Sequence, residues 1–159
     1  MRFGSHLPIL MKLMEITSGP VLELGGGMYS TPFLHWACFR TKRFLHTFED
    51  HQFYFDNIKQ YERDFHKVEF VTDWASIDIS GPWSVALVDH NPLGRRPVET
   101  RRLSHAEYIV FHDADDRSRK EFNYKGAFDT FKYSLLFNEV GAASMILSNT
   151  HDLKGFTLI

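Results

Sequence analysis

Apolar and polar positions divide the chain into short runs that alternate between two periods. Leu7, Leu10, Met11 and Met14 recur at helical spacing and predict a short helix from His6 to Thr17, which Gly19-Pro20 stops. The apolar run Val21 to Leu24 predicts a strand, and Gly25, Gly26 and Gly27 follow it directly. Phe33, Leu34, Trp36, Ala37 and Phe39 then predict a helix capped by Ser30 or Thr31, with Pro32 in its first turn. The cycle repeats. Strands are expected over 43–48, 68–71, 83–88 and 107–111, and helices over 52–62 and 98–104. Strands alternating with helices argue for a parallel sheet covered on both faces.

The last third breaks this rhythm. Ala114 to Lys125 is polar and is expected to be a loop. Two β-type segments follow, Tyr133 to Val140 and Ser144 to Ser148, joined by Gly141, Ala142 and Ala143. That link is too short for a helical crossover, so the pair must be antiparallel. The expected fold is an α/β sandwich, formed by residues 1–159 as a single domain. Its sheet is mostly parallel, with an antiparallel C-terminal hairpin at one edge.

Composition narrows the function. Apolar residues make up 43% of the 159 residues, and fifteen phenylalanines make the expected core aromatic. A formal net charge of -2 argues against a nucleic-acid or membrane-surface partner, both of which need a concentrated basic face. Arg95, Arg96, Arg101 and Arg102 form the nearest approach to one. Cys38 is the single cysteine, expected as a buried thiol. No stretch suggests a signal peptide or membrane span, so a cytoplasmic location is expected.

The chemistry is expected at the carboxyl ends of the strands, where ligands bind open α/β sheets. Glu23, Glu49-Asp50, Asp73-Trp74, Asp89-His90 and His112-Asp113 stand at or near successive strand ends. The glycines leave room for a ligand against the backbone, and the following helix, starting near Ser30 and Thr31, favours a carboxylate or phosphate. A tight turn without a ligand would use the same glycines. A dinucleotide fingerprint would need glycine where Ser30 stands, and Glu23 would face a pyrophosphate unfavourably but suit an ammonium group. Glu49, some twenty residues on, suits two ribose hydroxyls. These features fit S-adenosylmethionine better than a nicotinamide dinucleotide.

With "VLELGGG", "TFED", "VTDW", "VALVDH", "YIVFHDAD" and the closing hairpin, the chain resembles the class I S-adenosylmethionine-dependent methyltransferases. The resemblance implies a Rossmann-like sandwich with seven strands, the last inserted antiparallel. It implies that Glu23, Gly25 and Gly27 border the methionine part, with Gly26, Ser30 and Thr31 also among the cofactor-binding residues. Glu49 and its neighbour Asp50 would then serve the ribose, and Asp73 with Trp74 the adenine. Asp89 would approach the transferable methyl group. "LVDH" is most similar to the catechol O-methyltransferase-like branch, in which acids after the fourth and fifth strands hold a divalent metal. Asp89 and Asp113 would be those acids and Mg²⁺ the ion, with His90 or His112 admitting Mn²⁺ or Zn²⁺. Without a metal, Asp89, His90 or His112 would be the general base. The expected activity is methyl transfer to an oxygen or nitrogen of a small molecule. A nucleoside-binding module without transfer is the alternative, and a homo-oligomer could complete an open site.

Overall fold

A computed structural model describes residues 4–158, so the outermost residues of the expected 1–159 domain, 1–3 and 159, lie outside the described part. One sheet carries seven strands: β1 (Val21–Leu24), β2 (Leu45–Glu49), β3 (His66–Phe70), β4 (Val85–Val88), β5 (Tyr108–Phe111), β6 (Tyr133–Phe137) and β7 (Ser144–Ser148). Their order is β3-β2-β1-β4-β5-β7-β6. β1 to β5 pair parallel, whereas β7 runs antiparallel to both β5 and β6. The strand order reverses between β1 and β4, which opens a crevice at their carboxyl ends.

Alternate residues of each buried strand feed two separate cores. Val85 and Leu87 join Ile9, Leu10 and Leu13 of α1 (Leu7–Ile16) and Leu34 and Cys38 of α2 (Ser30–Thr41). Ala86 and Val88 face the opposite layer, with Leu103, Tyr124 and Phe128. The latter layer includes α4 (Arg96–Arg102) and α6 (Tyr124–Phe128). Helix α3 (Gln52–Ile58) lies beside β2 and β3 and continues as a 3-10 turn over Lys59–Tyr61. Cys38 is wholly buried, and that burial pushes its thiol up to about 12.

Two expectations need correction. The stretch 114–125 is not simply loop, because α5 (Asp116–Glu121) and the start of α6 lie in it. A short polar helix leaves no apolar period in the sequence, and α6 is anchored by only Tyr124, Ala127 and Phe128. Helix α2 also lacks the expected cap: its N-cap position is Tyr29, without a side-chain cap bond, and Ser30 and Thr31 lie within its first turn. The Thr31 hydroxyl is committed elsewhere, as the site explains.

Candidate cofactor and active site

The triple-glycine turn is shaped by what surrounds it. Gly25 has φ +94°, and a Cβ there would fall 2.5 Å from the carbonyl carbon of Asp89. The end of β1 therefore touches the end of β4, and only glycine permits both the dihedral and the approach. A Cβ on Gly26 would strike Ile58 and Thr47, whereas one on Gly27 would meet nothing within 4 Å. The turn is thus packed against protein on one side and open on the other.

Beneath it lies Glu23, fully buried. Register sets Glu23 opposite Thr47, and the hydroxyls of Thr47 and Thr31 each donate to its Oε2 at 2.8 Å. Gly27 N–H donates to Thr31 Oγ1 at 2.9 Å, so the carboxylate holds the turn through one intervening hydroxyl. Burial pushes Glu23 up to about 7, against the hydrogen bonds from Ser30, Thr47 and Thr31.

Above the turn is a cavity of about 690 Å³, within the range of small-molecule sites. Its walls bring together Gly25, Gly26, Gly27, Ser30, Glu49, Asp89, His90, His112 and Asp113 from the sequence-derived set. Glu49 closes β2, is 4% exposed and accepts from His51 N–H at 2.7 Å. Burial raises it to about 7 as well.

Other expected residues lie elsewhere. Glu23 and Thr31 support the turn from below and are absent from the cavity wall. Trp74 is buried, donates from Nε1 to Asp50 Oδ2 at 3.1 Å and lies 4.0 Å from the His90 ring. Asp73 is exposed and borders a separate hollow of about 530 Å³ beside β3.

The residue the sequence left unassigned is Arg96. It is 3% exposed, and its fork spans the ends of β4 and β5. Nε donates to the His90 carbonyl at 2.7 Å, Nη1 to the His112 carbonyl at 2.9 Å and Nη2 to the Asp89 carbonyl at 3.0 Å. The same guanidinium pairs with Asp89 Oδ1 at 3.0 Å and Asp113 Oδ2 at 3.3 Å. Both acids expected to hold Mg²⁺ are therefore bridged by a fixed cation. A hard ion needing several carboxylate oxygens does not fit between them. Burial still raises Asp89 to about 6 despite Arg96.

His6, at the start of α1, was also missed. It lies in the cavity wall with its ring edge-on to His112, the centroids 4.5 Å apart. Burial, then the neighbouring His112, lowers His6 to about 4. The only local signal was a histidine one residue before an apolar helix, which core packing would equally explain.

No protein-family model matches the chain, and no curated protein matches it in sequence. Solved structures do match. An O-methyltransferase from Bacillus cereus in complex with S-adenosylhomocysteine superposes with a TM-score of 0.63 at 15% identity, covering 89% of this chain and 78% of that one. A Podospora anserina methyltransferase bound to the same product gives 0.64 at 12% identity, covering 89% and 76%. A ribosomal protein L11 methylase from Lactobacillus delbrueckii subsp. bulgaricus gives 0.63 at 12%, covering 91% and 78%. With the β3-β2-β1-β4-β5-β7-β6 sheet, these likenesses establish that the chain has the class I S-adenosylmethionine-dependent methyltransferase fold.

Proposed function

We propose that the chain is an S-adenosylmethionine-dependent methyltransferase that acts on an oxygen or nitrogen of a small-molecule acceptor. One observation carries the reading: a cavity at the strand-order reversal is floored by a ligand-accessible glycine turn and walled by the Glu49 carboxylate. Glu49 accepts the two ribose hydroxyls, and the open face at Gly27 admits the methionine part against the backbone. Ser30 opens the 12-residue helix α2, whose N-terminal N–H groups favour the methionine carboxylate. Glu23 and Thr31 act indirectly, by fixing the turn. Asp50 and Trp74 brace the loop after β2 through their mutual hydrogen bond, and Asp73 has no part at this cavity.

At the other end of the cavity, of the three candidate bases, Asp89 and His112 are the groups nearest to chemistry. The sulfonium already activates the methyl carbon, so alignment supplies much of the acceleration. An acceptor proton passes to the Asp89 carboxylate or the His112 imidazole as the nucleophile attacks. His90 is 1% exposed and serves as packing under Trp74.

A small acceptor is favoured by the fate of the arginines. Arg96 is spent internally, Arg95 pairs with Glu99, and Arg102 donates to the Trp74 and Ile77 carbonyls, so three of the four clustered arginines are committed within the protein. Calorimetry with S-adenosylmethionine and S-adenosylhomocysteine tests the cofactor. Transfer of labelled methyl to the small-molecule, protein or RNA fraction of an extract tests the acceptor. Absence of binding to both compounds at millimolar concentration would overturn the reading.

A further inference from the structure

His6 presents an anomaly that methyl transfer does not explain. It is 4% exposed, and neither ring nitrogen has a hydrogen-bond partner among the described residues. A neutral imidazole brings one donor and one acceptor, and leaving buried polar groups unpaired is costly. Its placement is not loose: Ser5 Oγ donates to the Ala142 carbonyl at 3.0 Å, tying the leading turn to the β6–β7 link. The unpaired ring therefore faces a defined place.

That place also holds Asp89 and His112. One ligand atom from each of His6, Asp89 and His112 lies within 4.8 Å of the others. Ligands at about 2.0–2.1 Å from a tetrahedral ion stand roughly 3.4 Å apart, so an inward side-chain shift on the order of 1 Å closes the set. His112 is already oriented, because its Nδ1 lies 3.1 Å from Ser144 Oγ, and Nε2, 3.6 Å from Asp113 Oδ1, is the nitrogen available to an ion. Such an outer hydrogen bond is what a metal-binding histidine requires. Arg96 engages Asp89 Oδ1, which leaves the other carboxylate oxygen for an ion.

We propose that His6, Asp89 and His112 form a binding site for a divalent transition ion of the zinc type. Two imidazoles and one carboxylate select such an ion over Mg²⁺, which prefers an all-oxygen shell. This set is distinct from the Asp89–Asp113 pair, which Arg96 bridges. The three ligands leave positions toward the cavity for water or an acceptor oxygen. An ion there would occupy Asp89 and His112 and would take over from them the activation of that oxygen; this consequence rests on the methyltransferase reading, and the binding itself does not.

The test is calorimetric titration of metal-stripped protein with Zn²⁺ in the absence of cofactor, repeated with Co²⁺ to read imidazole ligation in the visible spectrum. The wild type is expected to bind one Zn²⁺ that excess Mg²⁺ does not displace. His6→Ala and His112→Gln are each expected to weaken binding by at least the ~10–100-fold seen when supporting groups of metal sites are removed. Melting curves without metal establish that each variant folds. His6→Phe, which replaces the unpaired ring by an apolar one, stands in if the alanine variant does not fold. No binding by the wild type, displacement by Mg²⁺, or unchanged affinity in either histidine variant overturns the proposal. S-adenosylhomocysteine binding measured on the same wild-type protein keeps the two readings apart, since either ligand can bind where the other fails.

Discussion

At the scale of single residues, adjacent glycines have opposite demands. Gly25→Ala places a Cβ 2.5 Å from Asp89 backbone at φ +94°. The left-handed conformation alone costs a non-glycine residue about 1–2 kcal/mol, and the clash adds to it. Denaturation is expected to show that loss or more, together with loss of cofactor binding. Gly27→Ala meets nothing within 4 Å, so its stability should stay within about 0.5 kcal/mol of the wild type. Its effect is expected only in cofactor affinity, because the new methyl enters the space the ligand takes. Glu49 makes a second prediction. Burial holds it near 7, yet ribose hydroxyls bind its ionised form more strongly. Cofactor binding must then expel a proton below that value, and affinity should fall by about tenfold for each pH unit below 7. Calorimetry across pH 5–8 would reveal it, and Glu49→Gln should bind weakly with that dependence gone. A wild-type affinity that stays flat with pH would remove Glu49 from the cofactor.

Between elements, the decisive connection is Arg96, which sits in the first turn of α4 and binds the ends of β4 and β5. Removing one partner of a buried ion pair costs about 3–5 kcal/mol. Arg96→Leu should fall at the lower end, because Asp89 is 22% and Asp113 37% exposed at the side chain. Arg96→Lys keeps the charge but cannot reach three carbonyls at once, so it should recover only part of the stability. Urea titration of both variants decides this; equal stability of Arg96→Leu and wild type would reduce the bridge to a surface pair. The same contrast separates what the sequence made legible from what it hid. β1 and β4 were readable because buried parallel strands are short apolar runs, and the antiparallel tail followed from a link too short to cross over. The polar helix α5 left no such period. Arg96 looked like one of four surface arginines, since nothing local distinguishes a guanidinium that turns inward. His6 meets His112 only because α1 packs against the sheet, a distance along the chain that no local pattern spans.

Across the whole molecule, a buried polar line runs from the edge of the sheet to its centre. Thr47 gives its single hydroxyl proton to Glu23, so His66 Nε2, 2.9 Å away, must donate to Thr47 Oγ1. His66 Nδ1 is then the acceptor for His35 Nδ1 at 3.0 Å. α2, β3, β2 and β1 are thereby joined to the glycine turn by one chain of hydrogen bonds, and a neutral His66 is required for it. Burial, then the neighbouring His35, lowers His66 to about 3, which keeps it neutral. The carboxyl at the other end carries the opposite shift, with a measurable consequence. Glu23 titrates at 4.5 when unfolded and near 7 when folded. Between those values the unfolded chain has released the proton that the folded chain still binds. The contribution of Glu23 is therefore full below about pH 4.5 and declines as pH rises to 7, by about 1.4 kcal/mol per unit. Glu23→Gln cannot ionise and lacks this decline. Whatever the two proteins' absolute stabilities, the variant should gain on the wild type from pH 4.5 to 7, and the difference should level off above. Parallel stability curves over that range would mean that Glu23 ionises normally beneath the turn. The polar line would then end in a carboxylate already charged, and the glycine turn would rest on an anion at every pH at which the protein works.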